Sequence, residues 1–261
     1  MAGQRSYAGG KILAADNGDV TVLTINRPEV RNALDRGAAL ALRAAIADFE
    51  ADPGQSVAVL HGAGGAFCAG ADLKEISEEA DYVAWAGDPR GPTHRACEKP
   101  VIAAIEGHAC AGGLGLALWC DLRIGDDTTV FGVFSRRWGV PMSDGTTVRL
   151  PRLVGQGRAL EMLLTGRPVH AQEALSWGLL NDCVPRGEAL AAAKSLAARM
   201  AGFPQVALRS DRRSAYAQNG LEMAEAIALE MQIAAEAKRL EATDGARRFA
   251  DGAGRHGAQD A

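Results

Sequence analysis

Short β-branched runs alternate with one long amphipathic stretch along the first hundred residues. Val20 to Ile25 is apolar and ends at Asn26-Arg27-Pro28, which predicts a strand running into a loop. Met1 to Gly10, before it, reads as a loose polar leader. Arg31-Asn32-Ala33-Leu34-Asp35 supplies polar capping groups. Ala38, Leu42, Ile46 and Phe49 then mark the apolar face of a helix that Pro53-Gly54 stops. Val57 to Leu60 predicts a second buried strand. It leads into the glycine-rich loop Gly62 to Asp72 and a helix start at Leu73-Lys74-Glu75-Ile76, with Asp72 as a capping residue. Glu78 to Arg95 is polar and broken by Gly87, Pro89, Gly91 and Pro92, the pattern of a mobile or variable insertion.

The chain is organised around KPVIAAIEGHACAGGLGLALWCD, Lys99 to Asp121. Val101 to Ile105 is a buried-strand run, Gly107 to Gly113 a glycine turn, and Leu114 to Trp119 an apolar helical segment. A strand passing through small residues into a helix start leaves backbone N–H groups unpaired, at the positive end of the helix dipole. Such a turn either holds a negatively charged oxygen or only permits close packing. Leu122 to Ile124 and Val130 to Val133 predict two short strands joined at Asp126-Asp127, and Ser135 to Gly145 a loop. Helices are predicted over Thr146 to Val154 with a break near Pro151, and over 158–164, 171–177 and 188–200, with a last short strand at Cys183-Val184. From Pro204 onward the pattern is helical, with Leu221, Ala224, Ala228, Met231 and Ala235 on one stripe and glutamates opposite. The class is α/β with a helical C-terminal layer, and so alanine-rich a tail calls for a partner subunit.

Composition narrows the function. A chain of 261 residues with 48% hydrophobic content can bury a full core, and its net charge of −4 argues against a nucleic-acid binder. No apolar run approaches a membrane span and no signal pattern opens the chain, so a cytoplasmic location is expected. The five cysteines fall at irregular spacings with no CxxC or Cys/His metal pattern, so no metal is expected. Cys68 and Cys110 lie in glycine loops as nucleophiles or as small apolar residues. His61 and His108 lie near the same loops as substrate contacts or packed side chains.

Two glycine loops, each following an apolar strand and ending at a helix start, can converge two backbone N–H donors on one oxygen. That geometry stabilises an enolate formed from a thioester carbonyl. No GxxxxGK[ST], early GxGxxG or GxSxG competes with it. In order and spacing, Asn26 to Asp35, Gly62 to Glu75, Lys99 to Ile124 and Val148 to Pro185 resemble the crotonase, or enoyl-CoA hydratase/isomerase, superfamily. The resemblance implies a spiral of ββα turns over 1–200 and a C-terminal helical trimerisation domain over 201–261. It implies assembly as trimers or dimers of trimers, and an acyl-CoA thioester as substrate with no further cofactor. By motif position the oxyanion donors are the N–H groups of Ala71 and Gly112. Ala69, Asp72, Leu73 and Lys74 are implied to contact the adenine and pantetheine of CoA, with Gly113 grouped with them. Arg31 approaches the phosphates or is a solvated loop arginine. Arg247-Arg248 and Gly254 to Gly257 resemble the family's basic C-terminus, which touches CoA phosphate across a subunit interface or is simply solvated.

Hydratases of the family place one glutamate three residues after the second oxyanion glycine and another in a later loop. Those positions here are Gly115 and Ser135. Hydration needs one group to deprotonate water and one to protonate the α-carbon, so efficient hydration is not expected. Asp144 is the nearest carboxylate, either a single base for double-bond isomerisation or an N-cap for the helix from Thr146. Ser135 is a candidate hydrogen-bond donor to substrate or a backbone-satisfied loop serine. Arg136 and Arg137 are acyl-carboxylate contacts or surface ion pairs, and Trp138 core or pocket wall. The competing functions are acyl-CoA decarboxylation, acyl-CoA hydrolysis, and a non-catalytic acyl-CoA-binding subunit.

Overall fold

The first three strands, β1 (Arg5–Tyr7), β2 (Ile12–Asn17) and β3 (Val20–Ile25), run antiparallel, and β3 then pairs in parallel with β4 (Val57–Gly62). β5 (Val101–Ile105) and, beyond β6 (His108–Cys110), β7 (Leu122–Asp126) extend the parallel part. After β8 (Val130–Gly132) and β9 (Val169–His170), β10 (Asp182–Val184) completes a seven-stranded sheet beside β7. β6, β8 and β9 form a separate three-stranded sheet. These relations come from a computed structural model that describes residues 3–78, 85 and 88–252. The chain divides into two compact units, Met1–Ala198 and Arg199–Ala261.

In the first unit, parallel pairing of β3 with β4 requires a crossover, and α1 (Arg36–Ala51) supplies it. The Asp35 carboxylate accepts the Ala38 N–H at 2.7 Å, starting the helix, and Ala38, Leu42, Ile46 and Phe49 are buried as their spacing predicts. The buried Lys99 ammonium ends it, donating to the carbonyls of Phe49 at 3.0 Å and Gln55 at 2.8 Å, and to that of Asp52. β5 is buried along its whole length, as a central parallel strand must be. α2 (Leu73–Glu78), α3 (Gly112–Trp119), α4 (Thr146–Val154), α5 (Gln156–Thr165), α6 (Ala171–Ser176) and α7 (Ala189–Ala201) follow along the chain.

Three expectations are corrected. The leader is not loose: β1 is an edge strand, held further by an ion pair between Arg5 and Asp16 at 2.7 Å. The two short strands expected on either side of Asp126-Asp127 do form, as β7 and β8, and they belong to different sheets. The turn before α3 contains β6, which pairs in parallel with β8. Pro151 lies inside α4 without ending it, and Gly155 stops the helix instead. The polar insertion expected over Glu78 to Arg95 and the tail at Gly254 to Gly257 lie partly and wholly outside the described residues.

In the second unit, α8 (Gln205–Ala217) packs on α9 (Met223–Ala237), which continues through a π turn at Lys238–Ala242 into α10 (Thr243–Ala250). Glu241 accepts the N–H groups of Val206 at 3.0 Å and Ala207 at 2.8 Å, capping the otherwise unpaired start of α8. Ile233 and Ala237 face inward, whereas Leu221, Ala224, Ala228, Met231 and Ala235 are exposed. Among the described residues, no helix is long and apolar enough to cross a membrane.

Candidate active site

Two loops meet where the sequence places its glycines. The Cys68 N–H donates to His108 O at 2.9 Å, and the Cys110 N–H to Cys68 O at 3.0 Å, so the loop after β4 lies along β6. Gly113 allows that approach: a Cβ there would stand 1.9 Å from Cys68 O. The loops are equally close at Gly70, where φ is +101° and a Cβ would lie 2.9 Å from Gly112 N. Ala71 follows Gly70 directly, so its amide and that of Gly112 are neighbours in space.

Their orientation follows from the surrounding bonds. Leu34 donates to Gly70 O at 2.8 Å and accepts from the Asp72 N–H at 3.0 Å, turning the intervening Ala71 amide away from that ladder. Gly112 is the first residue of α3, so its N–H has no intrahelical acceptor. Ala111 before it takes φ 49° and ψ −122°, a conformation non-glycine residues rarely adopt, which swings the helix start outward. Among the described residues, neither the Ala71 nor the Gly112 N–H is given an acceptor.

Ala71 and Gly112 line a cleft of about 150 Å³ together with Arg31, Ala69, Leu73, Ser135 and Asp144. Trp85, His108, Cys110, Phe134, Trp138, Val140 and Met142 also line it. Three other expected residues do not line it. Asp72 pairs with Arg27 at 3.1 Å and caps α2 through the Lys74 N–H, Lys74 is exposed, and Gly113 packs on Cys68. Trp138 is 68% exposed, so of its two expected places it has the cleft wall and not the core.

Asp144 is only 3% exposed, and burial pushes its carboxyl above the usual range, against hydrogen bonding from Thr146 and the charge of Arg149. Its Oδ1 accepts the Thr146 N–H at 2.9 Å, so the residue supports α4 while facing the cleft. Arg149 holds the loop by donating to Asp144 O at 2.9 Å and Thr93 O at 3.0 Å. Gly115, one turn into α3 from Gly112, is buried against that carboxyl, and a Cβ there would lie 2.2 Å from Asp144 Oδ2. The Ser135 hydroxyl is not satisfied by backbone: its hydrogen-bond partner is Met142 Sδ at 3.5 Å, a weak acceptor.

The cysteine and histidine alternatives separate clearly. Burial pushes the thiols of Cys68 and Cys110 up to about 12, which removes the thiolate a nucleophile needs. His61 bonds Thr24 Oγ1 at 2.8 Å, outside the cleft, and burial lowers its pKa, whereas His108 lines the cleft. Arg136 donates to Leu163 O at 3.3 Å and Arg137 stacks 5.0 Å from the Phe134 ring centre. Among the described residues no group of three His, Cys, Asp or Glu side chains is placed to hold a metal.

Two supporting residues carry no catalytic signature in the sequence. Buried Asn32, at φ 58°, accepts the Arg27 N–H at 2.8 Å through Oδ1. Its Nδ2 donates to the carbonyls of Ala63 at 2.8 Å and Ala66 at 2.6 Å, tying the segment between β3 and α1 to the glycine loop after β4. Arg27 bridges Asp35 at 3.2 Å and Asp72 at 3.1 Å. The tolerance of asparagine for left-handed backbone was the one available clue. Asn32→Ala removes three hydrogen bonds, the one to Ala66 O fully buried and the other two partly so, and is expected to cost about 2–3 kcal/mol in denaturant unfolding.

A family model described as enoyl-CoA hydratase/isomerase matches residues 15–253. The chain is 32% identical over 252 residues to the enoyl-CoA hydratase EchA19 of Mycobacterium tuberculosis, covering 94% of this chain and 95% of that protein. It is 42% identical over 180 residues to the mevalonyl-coenzyme A hydratase SIDH of Beauveria bassiana, covering 64% of each. The crystal structure of the enoyl-CoA hydratase EchA1 from Mycobacterium marinum superposes with a TM-score of 0.87 at 34% identity, over 92% of this chain and 96% of that one.

Proposed function

We propose, from the premise that this chain belongs to the enoyl-CoA hydratase/isomerase family, that it is an acyl-CoA enzyme moving a double bond from the β,γ to the α,β position of a thioester. The thioester oxygen sits between the Ala71 and Gly112 amides. The Asp144 carboxylate removes a proton from C2, the electron pair passes to the carbonyl oxygen as a dienolate, and the same carboxyl returns the proton at C4. The amides stabilise charge only as it develops, without reorganising. Arg31, Ala69 and Leu73 carry the CoA portion, and Ser135 orients the acyl portion.

The observation that supports this best is the meeting, in one cleft, of two residues whose amides have no acceptor among the described residues and one buried carboxylate with a raised pKa. Hydration would need a second proton-transferring group, and Gly115 and Ser135 supply none. Assembly as a trimer or dimer of trimers belongs to the same reading, supported by the exposed apolar stripe of α9. The test is turnover of 3-enoyl-, 2-enoyl- and malonyl-type CoA esters, with C2 proton exchange followed in deuterated buffer. The 3-enoyl ester is expected to isomerise, and 2-enoyl hydration to run about 10²-fold or more slower, the usual value of one acid–base group. Decarboxylation, thioester cleavage, or binding without exchange would each replace this reading.

A further inference from the structure

α3 has a hole on the side that meets Asp144, and a carboxylate fills it. All eight residues of α3 are buried, so position 115 looks onto protein rather than solvent. A Cβ on Gly115 would stand 2.2 Å from Asp144 Oδ2, 2.3 Å from its Cγ and 2.9 Å from its Cβ. All three are far inside van der Waals contact, and they describe a whole carboxyl group resting on bare helix backbone. Relief by rotation is restricted, because Asp144 Oδ1 is engaged by the Thr146 N–H at 2.9 Å and the Asp144 carbonyl by Arg149 at 2.9 Å.

Position also matters along the helix. Residues three apart share a face of an α-helix, so the group resting on Gly115 lies one turn along α3 from the Gly112 amide.

We propose that Gly115 is the positioning residue for Asp144: its missing side chain is the seat that holds the Asp144 carboxylate one helical turn from the Gly112 amide, so positions 115 and 144 can carry one side chain in that seat but not two. The catalytic half of this inference rests on the reading of Asp144 as the base; the seating half does not. It follows that Gly115→Glu with Ser135→Glu is expected not to create a hydratase while Asp144 is kept, since Asp144 already occupies the space.

The test is a four-corner comparison of the full-length protein: wild type, Gly115→Ala, Asp144→Gly and the double variant. Thermal unfolding is read beside kcat, KM and the pH profile of 3-enoyl-CoA isomerisation. At an unobstructed helical site Gly→Ala stabilises. Here Gly115→Ala is expected to lower Tm in the wild-type background and raise it in the Asp144→Gly background. It should also cut kcat about 10²-fold, the effect of displacing a catalytic group by about 1 Å, with little change in KM. The acid limb of its pH profile should move down as the expelled carboxylate meets water. Gly115→Glu with Asp144→Gly returns a carboxylate to the seat, and should recover turnover relative to Asp144→Gly alone. Equal Tm changes in both backgrounds would overturn the seat. A reversal of the Tm effect with turnover unaffected by any variant would leave the seat standing and remove Asp144 from the chemistry.

Discussion

Asp144→Asn is expected to slow isomerisation of a 3-enoyl-CoA by about 10²–10⁴-fold while leaving the affinity for CoA esters nearly unchanged. The substitution preserves shape and the bond from the Thr146 N–H, and removes only the ability to accept a proton. The proposed CoA contacts are untouched, because Arg31, Ala69 and Leu73 line other parts of the cleft. Steady-state absorbance and titration calorimetry separate the two effects, and unchanged turnover would exclude Asp144 as the base. The pH dependence carries a second sign. Burial raises this carboxyl, so wild-type turnover should fall with decreasing pH along a limb above the ordinary carboxylate range. A carboxyl raised in the folded state favours folding most at low pH, and that contribution is lost as pH rises through the folded pKa. Asp144→Asn should therefore not lower stability at neutral pH, and unfolding curves at acid and neutral pH check this.

The second large effect is expected at the amides themselves. Replacing the Ala71 or Gly112 N–H by an ester oxygen, through lactate or glycolate at that position, should reduce kcat about 10²–10³-fold, the value of one oxyanion donor. Folding should change little, because neither N–H is given a protein acceptor among the described residues. The same exchange at Cys110, whose N–H donates to Cys68 O at 3.0 Å, should instead weaken the junction of the two loops. Wild-type kcat in both cleft esters would remove the oxyanion hole from the mechanism.

Much of this was legible in residue order because it depends on local pattern. β3 spans the whole predicted run, and α1 buries the face its spacing marks. β1 was not legible, since a short polar edge strand shows little alternation and is held by its neighbour rather than its own residues. The strands at 122–126 and 130–132 were legible, but not their separate sheets, because sheet membership is decided by partners far along the chain. At the site, the glycine loops, Asp144, Ser135 and Arg31 were expected together and do line one cleft. Asn32 had been read only as a capping group, because its three bonds to the chain are set by tertiary structure. The match between Gly115 and the Asp144 carboxyl exists only where α3 meets the loop before α4, so in the sequence Gly115 reads only as a missing glutamate.

The most direct measurement is a crystal structure with an unreactive acyl-CoA analogue bound. The thioester oxygen should lie about 2.7–3.1 Å from both Ala71 N and Gly112 N, with Asp144 facing the C2 to C4 edge of the acyl group. A thioester oxygen held elsewhere, or either amide found donating to the protein instead, would contradict the account.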